Sequence, residues 1–148
     1  MTRIKPFERS MHTADIWIDD MARELGEPGD AAYGAIRAVL HALRDRLPHD
    51  ESAHLAAQMP TMLRGVYYEG WRPSNTPETY HDPSEFLARI SGEARMAGGT
   101  EAAFAAEATM RVLRKHVSDG EIGDVLAVLP APVRGLLDGA EGSVRDGR

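Results

Sequence analysis

Two stretches of the chain that lie 70 residues apart align without a gap, and this alignment decides the fold. They read GDAAYGAIRAVLHALRDRLPHDESAHLAAQMPTMLRG (29–65) and GTEAAFAAEATMRVLRKHVSDGEIGDVLAVLPAPVRG (99–135). Identical pairs recur along the whole length: Gly29 and Gly99, Leu43 and Leu113, Pro60 and Pro130, Arg64 and Arg134, Gly65 and Gly135. The apolar positions between them also stay in phase, so the match indicates an internal duplication.

Each copy predicts four helices, and the second of them has the clearest periodicity. The first helix is expected over roughly 12–24 and 83–96, and the second over roughly 30–47 and 100–117. One apolar stripe with helical spacing runs along the second helix of each copy. Its members are Ala32, Ile36, Val39, Leu40, Leu43 and Leu47, and then Ala102, Ala106, Thr109, Met110, Leu113 and Val117. No strand pattern of comparable quality occurs, so the sequence predicts an all-α fold.

The third and fourth helices of each copy meet at a proline. We expect the third helix to open at Glu51 and at Glu121, where SDGE (118–121) has the form of a capping box. In that motif the serine and the glutamate side chains each accept the other residue's free amide. Pro60 and Pro130 are expected at the first position of the fourth helix, where proline carries no penalty. Glu51 and Glu121 are therefore interpreted as structural residues.

These elements divide the chain into two tandem four-helix repeats, offset by 70 residues and packed about a pseudo-two-fold as one domain. The stretch RPSNTPETYHDP contains three prolines and is typical of a linker. The predicted boundaries are an N-terminal arm over 1–10, the first repeat over 11–71, a Pro-rich linker over 72–82, the second repeat over 83–139 and a flexible tail over 140–148.

Composition restricts the partners that this chain is expected to have. It has 148 residues, a net charge of −6 and no cysteine. An acidic surface repels phosphate backbones, so we do not expect nucleic acid to bind. There is no apolar run of the roughly 20 residues that a membrane helix needs, and MTRIKPFERS lacks the apolar core of a signal peptide. We therefore expect a cytoplasmic protein that does not enter membranes.

The segment VLHALRDRLPHDESAHLAAQMPTMLRGVYYEGWRP (39–73) resembles the DUF2267 family, a bacterial family of unknown function. The segment VLRKHVSDGEIGDVLAVLP (112–130) is similar to it less closely, and together the resemblance spans nearly the whole chain. It implies a short, all-helical and duplicated protein. It implies no reaction, cofactor or catalytic residue.

The histidines raise the question of a metal site. In HDESAH (49–54), His49 and His54 are five residues apart, which is about 140° around a helix, so they do not form the H-E-x-x-H pair. A bundle could still collect His41, Glu51 and His54 from neighbouring helices. Because none of the three histidines recurs in the second copy, we predict no metal site and no cofactor.

The stretch VYYEGW (66–71) is where the first copy departs most from the second, which ends RGLLDG. Tyr67 and Trp71 are four residues apart and share a helical face. Large aromatic side chains with a polar group suit either a junction between repeats or a protein interface. Arg64 and Arg134 recur in both copies and are interpreted either as dipole or ion-pair partners or as an anion clamp. The candidate binding surface therefore consists of Arg64, Tyr67, Tyr68, Trp71 and Arg134.

No catalytic residue is predicted, because the sequence has neither a G-x-S-x-G elbow nor a thiol nucleophile. We expect a non-catalytic interaction or regulatory module that works with a protein partner or as a homodimer. The alternative is a small-molecule or ion-binding protein, an enzyme included, whose pocket lies between the repeats. Arg64, Tyr67, Trp71 and Arg134 would line that pocket.

Overall fold

A computed structural model describes the backbone of residues 2–146 and the side chains of residues 2–138. All regular structure in this part of the chain is helical, which confirms the all-α prediction. The α-helices are α1 (Lys5–Leu25), α2 (Gly29–Arg46), α3 (His49–Ala57), α4 (Thr61–Tyr68), α5 (Pro83–Ala94), α6 (Gly99–His116), α7 (Asp119–Val128) and α8 (Ala131–Asp146). A 3-10 turn covers Pro73–Asn75. None of the helices described is both long and apolar enough to cross a membrane.

The helices that begin within the two aligned stretches start at positions 70 residues apart. α2 and α6 start at positions 29 and 99, α3 and α7 at 49 and 119, and α4 and α8 at 61 and 131. The third helices therefore start two residues before Glu51 and Glu121. Pro60 occupies the cap position that precedes α4 rather than its first helical position. Its extended backbone directs the chain away from α3 before the next helix begins.

Helix α1 is longer than the periodicity predicted, because it begins at Lys5 and includes most of the predicted arm. A proline in its first turn is compatible with this start, because the first amide groups of a helix have no carbonyl partner within it and proline lacks only such a group. The first buried residue of α1 is Ala14. The side chains of the predicted tail over 140–148 lie outside the described residues, while the backbone of α8 continues to Asp146.

The core contains both predicted stripes of α2 and α6, and every residue of them is buried. Helices α1 and α5 each pack against both α2 and α6, α4 packs on α2, and α8 packs on α6. Trp17 from α1 and Phe86 from α5 are among the largest side chains that are fully buried. A single core therefore joins the two halves of the chain.

The segment between α4 and α5 is held against α2 by polar contacts. The amide of Glu78 donates to the Asp45 carbonyl over 2.8 Å, and Arg46 Nε donates to the Tyr80 carbonyl over 2.8 Å. The Tyr80 ring lies within 5.5 Å of the Arg46 guanidinium and 4.6 Å of the Arg89 guanidinium. These contacts fix the path of the predicted linker along the first half of the chain.

Candidate functional site

The two arginines of the predicted binding surface satisfy backbone carbonyls at helix ends. Arg64 donates from Nε to the Ala56 carbonyl and from Nη2 to the Met59 carbonyl, both over 3.0 Å. Arg134 makes the same two bonds at the end of α7, over 2.8 and 3.1 Å, to the carbonyls found 70 residues later. The last carbonyls of a helix have no partner within it. Both guanidinium groups are therefore engaged in ending α3 and α7.

Tyr67 lies inside the core and not on a surface. Its side chain is fully buried, and its hydroxyl oxygen lies 2.7 Å from Ser52 Oγ. Burial raises the pKa of Tyr67 above its ordinary value. At the positions 70 residues later the chain has Ile122 and Leu137, both buried. One half thus closes this part of the core with a hydrogen-bonded pair, and the other half closes it with an apolar pair.

Trp71 and Tyr68 are half-buried and pack along the segment that follows α4. The Trp71 ring lies 5.4 Å from the Tyr68 ring and 5.5 Å from the His49 ring, measured between centroids. Its Nε1 donates to Thr76 Oγ1 over 3.1 Å. These contacts all belong to the first half of the chain and the segment after it. The five residues that we predicted as one binding surface are thus divided between helix ends, the core and this segment.

A buried histidine joins three helices next to this region. His41 Nε2 lies 2.7 Å from the Val66 carbonyl oxygen, and Nδ1 lies 2.8 Å from a Glu93 carboxylate oxygen. Both neighbours only accept hydrogen bonds, so the two bonds form together when the ring is the imidazolium. Arg37 pairs with Glu93 over 2.9 Å and with Glu69 over 2.7 Å. The network ties α2 to the end of α4 and to α5.

A carboxylate–imidazole pair joins α1 to the end of α6. His116 Nε2 lies 2.7 Å from a carboxylate oxygen of the buried Asp20, and the His116 ring stacks on Trp17 at 4.8 Å. The hydrogen bond from His116 lowers the pKa of Asp20. An open groove of about 450 Å³ beside the pair also contains Ser10. That hydroxyl accepts the Met62 amide over 2.9 Å. Among the described residues Ser10 and His116 share no hydrogen bond, so the arrangement connects helices and lacks the geometry of a triad.

The contact between α3 and α7 brings two glutamates together. One ligand atom from each of Glu51, His54 and Glu121 lies within 4.8 Å of the other two. Glu121 is 8% exposed, and Oε2 of Glu51 and Oε2 of Glu121 are both buried without a hydrogen-bond partner among the described residues. His54 Nδ1 lies 3.8 Å from Glu51 Oε2, and the histidine side chain is 68% exposed. The cluster therefore combines the buried Glu121 and the partly buried Glu51 with one exposed basic side chain at its rim.

Electrostatics in this cluster are unfavourable to two charged carboxylates. Burial, the neighbouring Glu51 and then Asp124 together raise the pKa of Glu121 to about 8. Like charges that share a desolvated site disfavour the ionised form of one of them. At neutral pH the Glu121 carboxyl group is therefore protonated unless a cation binds in place of the proton.

The cap of α7 explains why the Glu121 carboxylate is free to enter the cluster. Ser118 Oγ accepts the Glu121 amide over 3.2 Å, as the capping box predicts. The capping box also predicts that the Ser118 amide donates to the Glu121 carboxylate. That part of the prediction is wrong, because this amide donates to Gln58 Oε1 over 3.0 Å. Gln58 lies at the end of α3. A side chain from the first half thus replaces Glu121 in the cap.

The sequence carries a signal for this cluster, although no metal site was predicted from it. Glu51 and His54 have the Glu-x-x-His spacing that places both side chains on one helix face. The prediction overlooked this spacing and rested on the interval between His49 and His54 and on the lack of a repeated histidine. The 70-residue offset also superposes Glu51 on Glu121. What the sequence could not show is that α3 and α7 meet.

A second unexplained feature is the first half of α1, whose apolar side chains face solvent. Ile4, Phe7 and Met11 are exposed, Phe7 to 70%. At 100° per residue Phe7 and Met11 fall on the same face as Ala14 and Met21, which are buried. Ile4 is the extended residue that immediately precedes the helix. The core-facing side of α1 therefore continues beyond the part of the helix that the core covers.

A comparison with protein families places these features in a broader set of sequences. The model of a family described as "Uncharacterized conserved protein (DUF2267)" matches residues 14–136. A search of curated proteins found no significant match. The matched range contains the whole α3–α7 cluster and begins after the exposed first half of α1.

Proposed function

The chain belongs to the DUF2267 family, whose description carries no activity, and we propose from its structure that it is a non-catalytic interaction module. The observation that carries this proposal is the exposed apolar face of α1. Large apolar side chains that are contiguous and exposed are typical of interaction sites. The module pairs with a second copy of itself through this face.

The architecture that we propose for the module is two four-helix repeats related by a pseudo-two-fold. Its support is the pattern of helix contacts, most of which have an equivalent in the other half. The matched contacts are α1–α2 with α5–α6, α1–α6 with α5–α2, α2–α4 with α6–α8, and α1–α4 with α5–α8. In the contacts α2–α6 and α3–α7, a helix packs on its own equivalent. These two contacts lie at the pseudo-two-fold axis.

The face of α1 has the spacing of a helix-pairing stripe. Ile4, Phe7 and Met11 are separated by three and four residues, the pattern that repeats in helices packed side by side. The same spacing continues through Ala14 to Ile18 within the body of the protein. A second helix laid on the exposed turns would therefore extend a packing arrangement that the fold already uses.

Charge favours a second copy as the occupant of this face. Lys5 and Arg9 precede Met11 on α1 and outnumber the one acidic residue there, Glu8, whereas Asp15 and Asp19 follow it; none of these side chains is buried. If two α1 helices cross antiparallel near Met11, each basic segment lies along the acidic segment of the other copy. Such an isologous contact uses the same patch twice, and the opposite net charges of the two ends favour the antiparallel orientation.

The test is the oligomeric state, measured by sedimentation velocity over a concentration series. We expect the wild-type chain to form a dimer, and Phe7→Glu and Met11→Glu to be monomers, because a charge on the stripe cannot be desolvated cheaply. Phe104→Glu is the matched control, since Phe104 is 48% exposed on α6 and lies outside the stripe. It should remain dimeric. Circular dichroism should show equal helix content in all four proteins.

Two results would count against the proposal. One is a wild-type chain that stays monomeric at every concentration, which removes self-association. The other is a dimer that survives both α1 substitutions, which moves the interface elsewhere. A monomeric wild type that captures a partner only through an intact α1 face would retain the interaction role and replace the second copy with another protein.

A further inference from the structure

We propose that Glu51, His54 and Glu121 form a binding site for one divalent transition-metal ion of the Zn²⁺ class, at the contact between α3 and α7. This site goes beyond the interaction role of α1 and is independent of it. Three ligands reach one point from two helices, because Glu51 and His54 lie one turn apart on α3 and Glu121 faces them from α7.

The spacing of the ligand atoms suits a small ion after a modest closure. The three atoms lie within 4.8 Å of one another. Bonds of about 2.0–2.2 Å to a tetrahedral ion place ligand atoms roughly 3.3–3.6 Å apart. The cluster therefore has to contract by about 1 Å. The His54 side chain can supply much of this movement, because it is 68% exposed and free to change rotamer.

The unpartnered oxygens are the observation that points to a bound cation. Oε2 of Glu51 and Oε2 of Glu121 are both buried and accept no hydrogen bond from an N–H or hydroxyl group of the described residues. The two carboxyl groups can hydrogen-bond to each other only when one of them carries a proton. Buried carboxylates in proteins are paired or coordinate metals, because an unpaired charge is costly to desolvate. His54 lies beside Glu51, but their 3.8 Å separation is too long for a hydrogen bond. A metal ion satisfies both oxygens and the imidazole together.

The donor set selects the class of ion. One imidazole nitrogen and two carboxylates suit zinc and the neighbouring transition metals better than Mg²⁺ or Ca²⁺, which prefer oxygen ligands alone. Three protein ligands leave at least one position for water. Asp124 follows Glu121 by three residues on α7 and adds a further negative charge near the site. The site is therefore specific for a dication and open to solvent on the His54 side.

The direct test is isothermal titration of the full-length, metal-stripped chain with ZnCl₂. We expect one ion per chain for the wild type and at least a tenfold loss of affinity for Glu121→Gln and for His54→Ala. Glu85→Gln and His81→Ala change an exposed glutamate and an exposed histidine outside the cluster, and they should bind as the wild type does. Titration with Co²⁺ adds a spectroscopic signature of the ligand set, which His54→Ala should alter.

The main competing explanation is that the two carboxylates share a proton and bind no metal. In that case the wild type shows no saturable Zn²⁺ or Co²⁺ binding, and the proposal is overturned. It is also overturned if the double variant His54→Ala, Glu121→Gln binds as tightly as the wild type, because the ion then lies elsewhere. Glu121→Gln is nearly isosteric, and its melting curve shows whether the variant is folded. The oligomeric state is measured separately, so either proposal can fail alone.

Discussion

The contacts α2–α6 and α3–α7 each pack a helix against the helix that lies 70 residues away, and they differ in what they bury. The buried residues of α2 and α6 are mostly alanine, leucine and other apolar side chains. The contact between α3 and α7 instead brings together Glu51 and Glu121, whose buried oxygens have no partner among the described residues. Repetition of an apolar residue at such a contact costs nothing, whereas repetition of an acid doubles a buried charge.

This difference separates residues that serve the fold from residues that need another explanation. An apolar contact is accounted for by burial, which is worth about 25 cal/mol per Å² of apolar surface. A pair of buried carboxylates destabilises the same fold unless a proton or a cation is bound. The α3–α7 contact is therefore the part of the molecule that packing alone does not explain.

The largest effect is expected in the apolar contact. Leu43→Ala and Leu113→Ala should each lower the free energy of unfolding by about 2–5 kcal/mol, because both side chains are buried and their loss leaves a cavity. Urea unfolding monitored by circular dichroism measures this. Similar losses at the two positions fit equivalent roles in one core. A loss near zero at either position would mean that its half does not depend on this stripe.

A smaller effect of opposite sign is expected in the acidic contact. The pKa of Glu121 is raised from 4.5 to about 8, so the folded state of metal-free protein loses stability as pH rises between those values. Glu121→Gln removes this pH-dependent loss of stability, and the amide group of the glutamine can donate a hydrogen bond to Glu51. At about pH 9 the variant should be more stable than the wild type by roughly 1–3 kcal/mol, and below about pH 5 the difference should vanish. Thermal melts of both proteins across this pH range, with a chelator present, measure the difference in stability. A wild type that becomes more stable as pH rises from about 5 to about 9 would contradict the prediction.

The smallest effect is expected at the helix ends. Arg64→Ala and Arg134→Ala should each cost about 1 kcal/mol or slightly more, because each removes two hydrogen bonds to carbonyls at a helix end. The Ala56 and Leu126 carbonyls keep a backbone amide donor. Since the two arginines make the same bonds, chemical denaturation should give similar values. A much larger loss at one of them would show that the two halves use their paired arginine differently.

The sequence was sufficient for the all-α fold because the aligned stretches showed the same helical pattern twice. The stripes of α2 and α6 reinforced one another, and the paired prolines marked the same corner twice. The start of α1 at Lys5 was missed because its first turns lie outside the core that fixes the rest of the helix. Their apolar residues are too few to outweigh the polar residues between them.

The candidate site was harder to predict because it depends on which helices meet. Residue types at Arg64 and Tyr67 suggested binding, but their partners are carbonyls and a buried serine that only the folded chain brings near. Glu121 was assigned to a cap from its spacing to Ser118. The spacing correctly predicted that the Glu121 amide donates to Ser118 Oγ. The Glu121 side chain takes no part in the cap, because Gln58 accepts the Ser118 amide instead.

The facing arrangement of Glu51 and Glu121 at the α3–α7 contact is the central claim. NMR titration of the glutamate side-chain carboxyl carbons in metal-free wild-type protein tests it directly, with Glu121→Gln to assign the signal. We expect the Glu121 carboxyl to titrate with a pKa of about 8 and to return towards its ordinary range when Zn²⁺ is added. A Glu121 carboxyl that titrates near 4.5 in the metal-free protein would contradict the claim, because two buried, facing carboxylates cannot both ionise so easily.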